Sequence, residues 1–159
     1  MNILLTAFKG NNNSSKILLD LISSKRGVDE LYLENDFHHC VFQLNRQLDL
    51  RTYDVIFSFE QNLDSDKIVI DTTAQVDSNT FVTSYSVNTL YQFLRDRNYK
   101  VELSNNAGTQ LPNHLYAVGL DRIVRESLST KMVLLHIPSI SAIDILSLAK
   151  DLSYYLSNI

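Results

Sequence analysis

What most constrains this chain is a repeated alternation: short apolar runs rich in β-formers give way to segments whose apolar residues recur every three or four positions. Ile3-Leu4-Leu5 is followed by the turn formers Gly10-Asn11-Asn12-Asn13-Ser14, and then by Ile17, Leu18, Leu21 and Ile22 at helical spacing, with Ser14 predicted as the helix cap. Residues 30–33 read as a short strand, and Phe37, Val41, Leu44 and Leu48 mark a second amphipathic helix. Val55-Ile56-Phe57-Ser58-Phe59 and Lys67-Ile68-Val69-Ile70-Asp71 are predicted strands, and the polar run 60–66 between them is predicted to be a surface loop. Phe81-Val82-Thr83 reads as a short strand, Leu90, Phe93 and Leu94 share a helical face, and Val101-Glu102-Leu103 returns to the sheet. A helix is predicted over 115–128 and an apolar strand over 132–137. Ser141-Ala142-Ile143-Asp144 is predicted as a capping box opening a last helix, whose buried stripe is Ile145, Ala149, Leu152 and Leu156.

Each crossover helix in such a chain must bury its apolar side on the sheet. The expected fold class is therefore α/β, a three-layer α/β/α arrangement around a mainly parallel, twisted sheet. Residues 1–159 are expected to form one domain, because no repeat, low-complexity tract or linker composition interrupts them. Ligands of such sheets usually sit beyond the carboxyl ends of the strands.

Charge narrows the partners. With 14 basic and 18 acidic residues the net charge is -4, and neither sign gathers into a block that would grip nucleic acid or an anionic membrane. The apolar stretch near Met1 is three residues long with no basic flank, too short for a signal peptide or a span. A single cysteine, Cys40, excludes an intramolecular disulfide and suits a reducing compartment, so the expected localisation is cytoplasmic.

Three stretches, in order along the chain, resemble pyroglutamyl peptidase type I, the cysteine peptidase family that removes an N-terminal pyroglutamate. Ser104-Asn105-Asn106-Ala107-Gly108-Thr109-Gln110-Leu111-Pro112-Asn113-His114 is similar to the family's nucleophile segment, S-N-x-A-G-T-x-L-C-N-H, agreeing at eight letters. Leu135-His136-Ile137-Pro138 resembles the strand that ends in the family's histidine. Leu5-Thr6-Ala7-Phe8 and Asn13-Ser14-Ser15 resemble the family's V-T-G-F and N-P-S at the N-terminus.

The resemblance implies the positions of the reacting groups: Pro112 for the nucleophile, His136 for the base and Asp71 for the third residue, a glutamate in the family. It also implies Phe8, Asn105, Gly108 and Asn113 as ligand-binding positions. Pro112 departs from the pattern, because proline offers neither a nucleophilic lone pair nor a proton, although at a helix start it fits well. The family's G-L-A-x-G-R loop is absent from residues 60–65, of its F-x-P-F-G-G clasp only Phe8 remains, and a segment is expected to be missing between Ala74 and Asn79. The expected protein is thus a degenerate pyroglutamyl-peptidase-like chain, leaning away from catalysis, with a remnant cleft for a small molecule, a peptide or a protein partner. The alternative is an active peptidase or amidase with a rearranged mechanism. No cofactor is expected, and a homo-oligomer is compatible with the resemblance.

Other readings carry less weight. His38, His39 and Cys40 are adjacent on a predicted helix and so diverge, which argues against a metal site. Ala107-Gly108-Thr109 before a helix could present amides to an anion, and Asn11-Asn12-Asn13 could form a polar ligand loop. Ser104 and Thr109 are candidate replacement nucleophiles without a clear base, and Tyr154-Tyr155 marks either an oligomer contact or the edge of the last helix.

Overall fold

A computed structural model describes residues 1–22, 27–106 and 108–159. It has the expected α/β architecture. The elements are β1 (Ile3–Phe8), α1 (Ser14–Leu21), β2 (Val28–Leu33), α2 (Phe37–Leu50), β3 (Val55–Asn62), β4 (Ile68–Asp71), β5 (Thr73–Val76), β6 (Asn79–Val82), α3 (Val87–Arg95), β7 (Val101–Ser104), α4 (Leu111–Arg125), β8 (Lys131–Pro138) and α5 (Ile145–Leu156). Six strands form a sheet in the order β2-β1-β3-β8-β4-β7. The β1–β2, β1–β3, β3–β8 and β4–β7 pairs are parallel, and β4 runs antiparallel to β8.

Side-chain alternation along the strands builds two cores. Ile3, Leu5, Phe57, Phe59, Val133 and Leu135 face Leu18 and Leu19 of α1, Leu90 and Leu94 of α3, and Leu148 and Leu152 of α5. Leu4, Ile56, Met132 and Leu134 face the other way, onto Cys40 and Leu44 of α2 and Leu115, Tyr116 and Leu120 of α4. Gly119 lets α4 lie close to the sheet, since a Cβ there would meet the Met132 sulfur at 2.5 Å. No helix among the described residues is long and apolar enough to cross a membrane.

Several local expectations are corrected. β3 runs on through Asn62, because Glu60, Gln61 and Asn62 pair with His136, Ile137 and Pro138; the loop expected over 60–66 begins only after them. The short strand expected over 81–83 is the second arm of a β5–β6 hairpin, closed through Asp77 at φ 52 and packed on α4 outside the main sheet. This hairpin occupies the position where the missing segment was placed. Asn13, not Ser14, caps α1: its side chain accepts from the Ser15 and Lys16 amides, while Ser14 is fully buried and donates to the Ile137 carbonyl. The buried stripe of α1 includes Leu18 and Leu19, and Leu21 points outward.

α4 begins a turn earlier than 115 and ends at Arg125. Ser127 at φ 52, with Leu128 N–H on the Ile123 carbonyl and Ser127 N–H on that of Val124, closes it in a Schellman motif. The α5 cap is Asp144, which accepts from the Ser147 amide and hydroxyl, so Ser141 lies in the preceding turn rather than at the cap. Tyr155 is core, its hydroxyl 2.7 Å from that of Tyr85, whereas Tyr154 is exposed and stacks on Phe93.

Candidate functional site

The sheet itself assembles the central cluster. His136 lies near the end of β8, between β3 and β4. The parallel register sets Glu60 directly opposite it; the antiparallel register sets Val69 opposite it on the other side, which makes Asp71 the diagonal neighbour on the same face. Two carboxylates therefore converge on one imidazole from adjacent strands. His136 Nε2 lies 2.6 Å from Asp71 Oδ2, and Nδ1 lies 2.9 Å from Glu60 Oε2. The three side chains are 15, 3 and 12% exposed for His136, Asp71 and Glu60 respectively. The Asp71 contact is a hydrogen bond; that to Glu60 is a charge contact, with Oε2 accepting no aligned hydrogen bond.

Burial alone would disfavour a charged imidazole, but the hydrogen bond and charge of Asp71 and the second carboxylate of Glu60 outweigh it, so the His136 pKa is raised to about 9. At neutral pH the ring is an imidazolium with both nitrogens protonated.

A cavity of about 610 Å³ opens over this cluster, and Gly108, Asn113, Ser104 and Thr109 also contribute to its wall. The wall is held by local hydrogen bonds. The Tyr116 hydroxyl donates to the Asp71 carbonyl, Thr72 donates through both its amide and hydroxyl to the Ser104 carbonyl, and Asn106 N–H donates to Ser104 Oγ. Gly108, at φ 55, is required here, since a Cβ would sit 2.2 Å from Asn113 Nδ2 and L side chains rarely adopt that backbone. Ala107 lies outside the described residues.

The remaining expected positions separate from this group. Pro112 sits in the first turn of α4, below the Gln110 cap, which makes no side-chain capping bond. It lines, with Phe8, a smaller neighbouring cavity that shares Glu60 and Gln61 with the larger one. Asn105 lines neither; its carbonyl accepts from the Thr73 hydroxyl. Phe8 and Asn105 are thus not gathered with His136, Asp71, Gly108 and Asn113.

Cys40 is buried in the α2–α4 core with its thiol donating to the Phe37 carbonyl, and burial pushes its pKa up to about 11. His38 and His39 on the same helix point to solvent, and His39 pairs with Asp36. Among the described residues no group of three or more His, Cys, Asp or Glu side chains is arranged to hold a metal. Ser104 and Thr109 share the cavity with His136, but neither is hydrogen-bonded to it among the described residues.

Glu60 is the member of the cluster that the sequence reading missed. The signal lay in the strand period: Ile56, Ser58 and Glu60 share a face, and continuing the alternation by one step past Phe59 places the carboxylate toward His136.

No protein-family model matches the chain, and no curated protein does. Solved structures do. The chain is similar to pyroglutamyl peptidase I from Bacillus amyloliquefaciens (TM-score 0.82, 16% identity, covering 96% of this chain and 94% of that one). It is similar to pyrrolidone carboxyl peptidase from Thermococcus litoralis (TM-score 0.81, 16% identity, 98% and 92% covered). A third, the pyrrolidone carboxyl peptidase of Fervidobacterium islandicum, gives a TM-score of 0.76 at 15% identity over 87% of this chain and 81% of that one. The chain has the fold of the pyroglutamyl peptidases, with a cleft at the ends of β3 and β8.

Proposed function

We propose that this chain uses the pyroglutamyl-peptidase scaffold to bind a ligand in the cleft and does not hydrolyse peptides. The observation that carries this reading is that both ring nitrogens of His136 face carboxylates, Asp71 on one side and Glu60 on the other. A general base needs a free nitrogen lone pair aimed at the proton it removes, and a histidine that activates a thiol needs one nitrogen free to face the sulfur. Here neither is free, and the position that the sequence resemblance assigns to the family's nucleophile holds Pro112, in the first turn of α4. Cys40, buried with a raised pKa, supplies no thiolate to the cleft.

The test is hydrolysis of a fluorogenic pyroglutamyl amide by the wild type, Pro112→Cys, Pro112→Cys with Glu60→Ala, and His136→Ala. No turnover by the wild type is expected, with more activity in the double variant, where one ring nitrogen is released, than in Pro112→Cys alone. Wild-type turnover that His136→Ala abolishes would overturn the reading. It would favour a second one, an amidase in which the Ser104 or Thr109 hydroxyl, present on the same cavity wall as the His136–Asp71 pair, replaces the thiol.

A further inference from the structure

The walls of the cleft are polar and unbalanced in charge. Glu60, Asp64 and Asp71 contribute three carboxylates against the single imidazolium of His136, an excess of two negative charges, and among the described residues neither lysine nor arginine lines the cavity. Among the described residues Leu63 and Val69 are its only aliphatic lining residues larger than glycine; the uncharged polar side chains of the wall are amides and hydroxyls. Phe8, the one aromatic retained from the ring-clasping loop, lines the neighbouring cavity instead. A neutral pyrrolidone ring would find little apolar surface here, and an anionic ligand would meet carboxylates without a lysine or arginine partner. The volume, about 610 Å³, is that of an ordinary small-ligand site.

We infer that the cleft takes a polar ligand bearing a primary ammonium group, an amino-acid amide or the free N-terminus of a short peptide, in preference to a cyclised pyroglutamyl end. This rests on the reading that the cleft binds without cleaving. The ammonium would lie against the acidic side of the wall, and the amides and hydroxyls around it would satisfy the ligand's backbone groups.

Two probes with the same carbon skeleton separate the classes: glutaminyl-alanine amide, which carries a free ammonium, and pyroglutamyl-alanine amide, which is its cyclised neutral form. Thermal shift and calorimetry at neutral pH should show the open-chain probe binding about tenfold tighter or more, with an affinity that falls as salt is raised. Asp64→Asn, at an exposed position on the wall where folding is not at stake, should weaken it about threefold or more, and Glu60→Gln should do likewise. Preferred or equal binding of the cyclised probe without cleavage, or no binding of either, would overturn this inference and leave the non-peptidase reading standing. Cleavage of the cyclised probe would overturn both.

Discussion

The two faces of the central sheet differ in kind. On the face covered by α1, α3 and α5, the strand side chains of β1, β3 and β8 are apolar through their centres, Ile3, Leu5 and Ala7, Val55, Phe57 and Phe59, and Val133, Leu135 and Ile137, with Lys131 and Gln61 as the polar ends. On the face covered by α2 and α4 the same three strands begin apolar, with Leu4, Ile56 and Met132, and β3 and β8 turn polar toward their carboxyl ends while β1 passes through Thr6 to the buried Phe8. There Thr6 donates to Ser58, and Glu60 and His136 follow one strand step further on. One face is committed to burial along all but its ends. The other stops spending residues on the core where the cleft begins, and polar side chains are kept there only in mutual contact, as burial requires.

The largest effect belongs to the apolar face. Phe57, fully buried and edge-to-face with Tyr85, should cost about 3–5 kcal/mol when cut to alanine, read by urea denaturation, with the pH dependence of stability unchanged. A cost below about 1 kcal/mol would erase the contrast between the faces.

The polar face should show itself in pH. The His136 pKa in the folded state, about 9, lies above its ordinary value of 6.5, so its stabilisation is fully present below pH 6.5 and is lost as pH rises through 9. Stability should fall by roughly 2–3 kcal/mol across that window, and His136→Ala should flatten the fall; denaturation midpoints at pH 6 and pH 9.5 test both.

Smaller effects sharpen the comparison at the loops. Gly108→Ala forces a side chain into a left-handed backbone and against Asn113, and should cost about 1–2 kcal/mol by denaturation while loosening the cleft wall. Asn13→Ala removes the α1 cap and should cost about 1 kcal/mol, whereas Gln110→Ala at the α4 start, which makes no side-chain capping bond, should cost less than about 0.3 kcal/mol.

The layered fold was legible because binary pattern and strand period carry it: every main-sheet strand overlaps a segment of β-formers or of apolar-polar alternation, the tail of β3 excepted. His136 and Asp71 were legible as strand-end residues through their resemblance to known segments. Glu60 was not, since a glutamate followed by glutamine and asparagine has low β propensity, and only pairing with His136 to Pro138 makes those residues a strand. The β5–β6 hairpin was half read for the same reason: Thr73-Ala74-Gln75-Val76 is held by its partner and by α4 rather than by its own preference. At the helix starts, Ser14 and Ser141 had the right chemistry for a cap, but Asn13 and Asp144 hold the extended backbone that puts a side-chain oxygen over the first amides.

The clamp on His136 is the centre of this account, and NMR of its imidazole in the intact chain tests it most directly. With labelled histidine, the His136 ring should show both nitrogens protonated at pH 7 and titrate near 9, with the midpoint falling in Glu60→Gln. A ring that titrates near 6.5 with one unprotonated nitrogen at pH 7.5 would contradict it, and would return to His136 the free lone pair a general base requires.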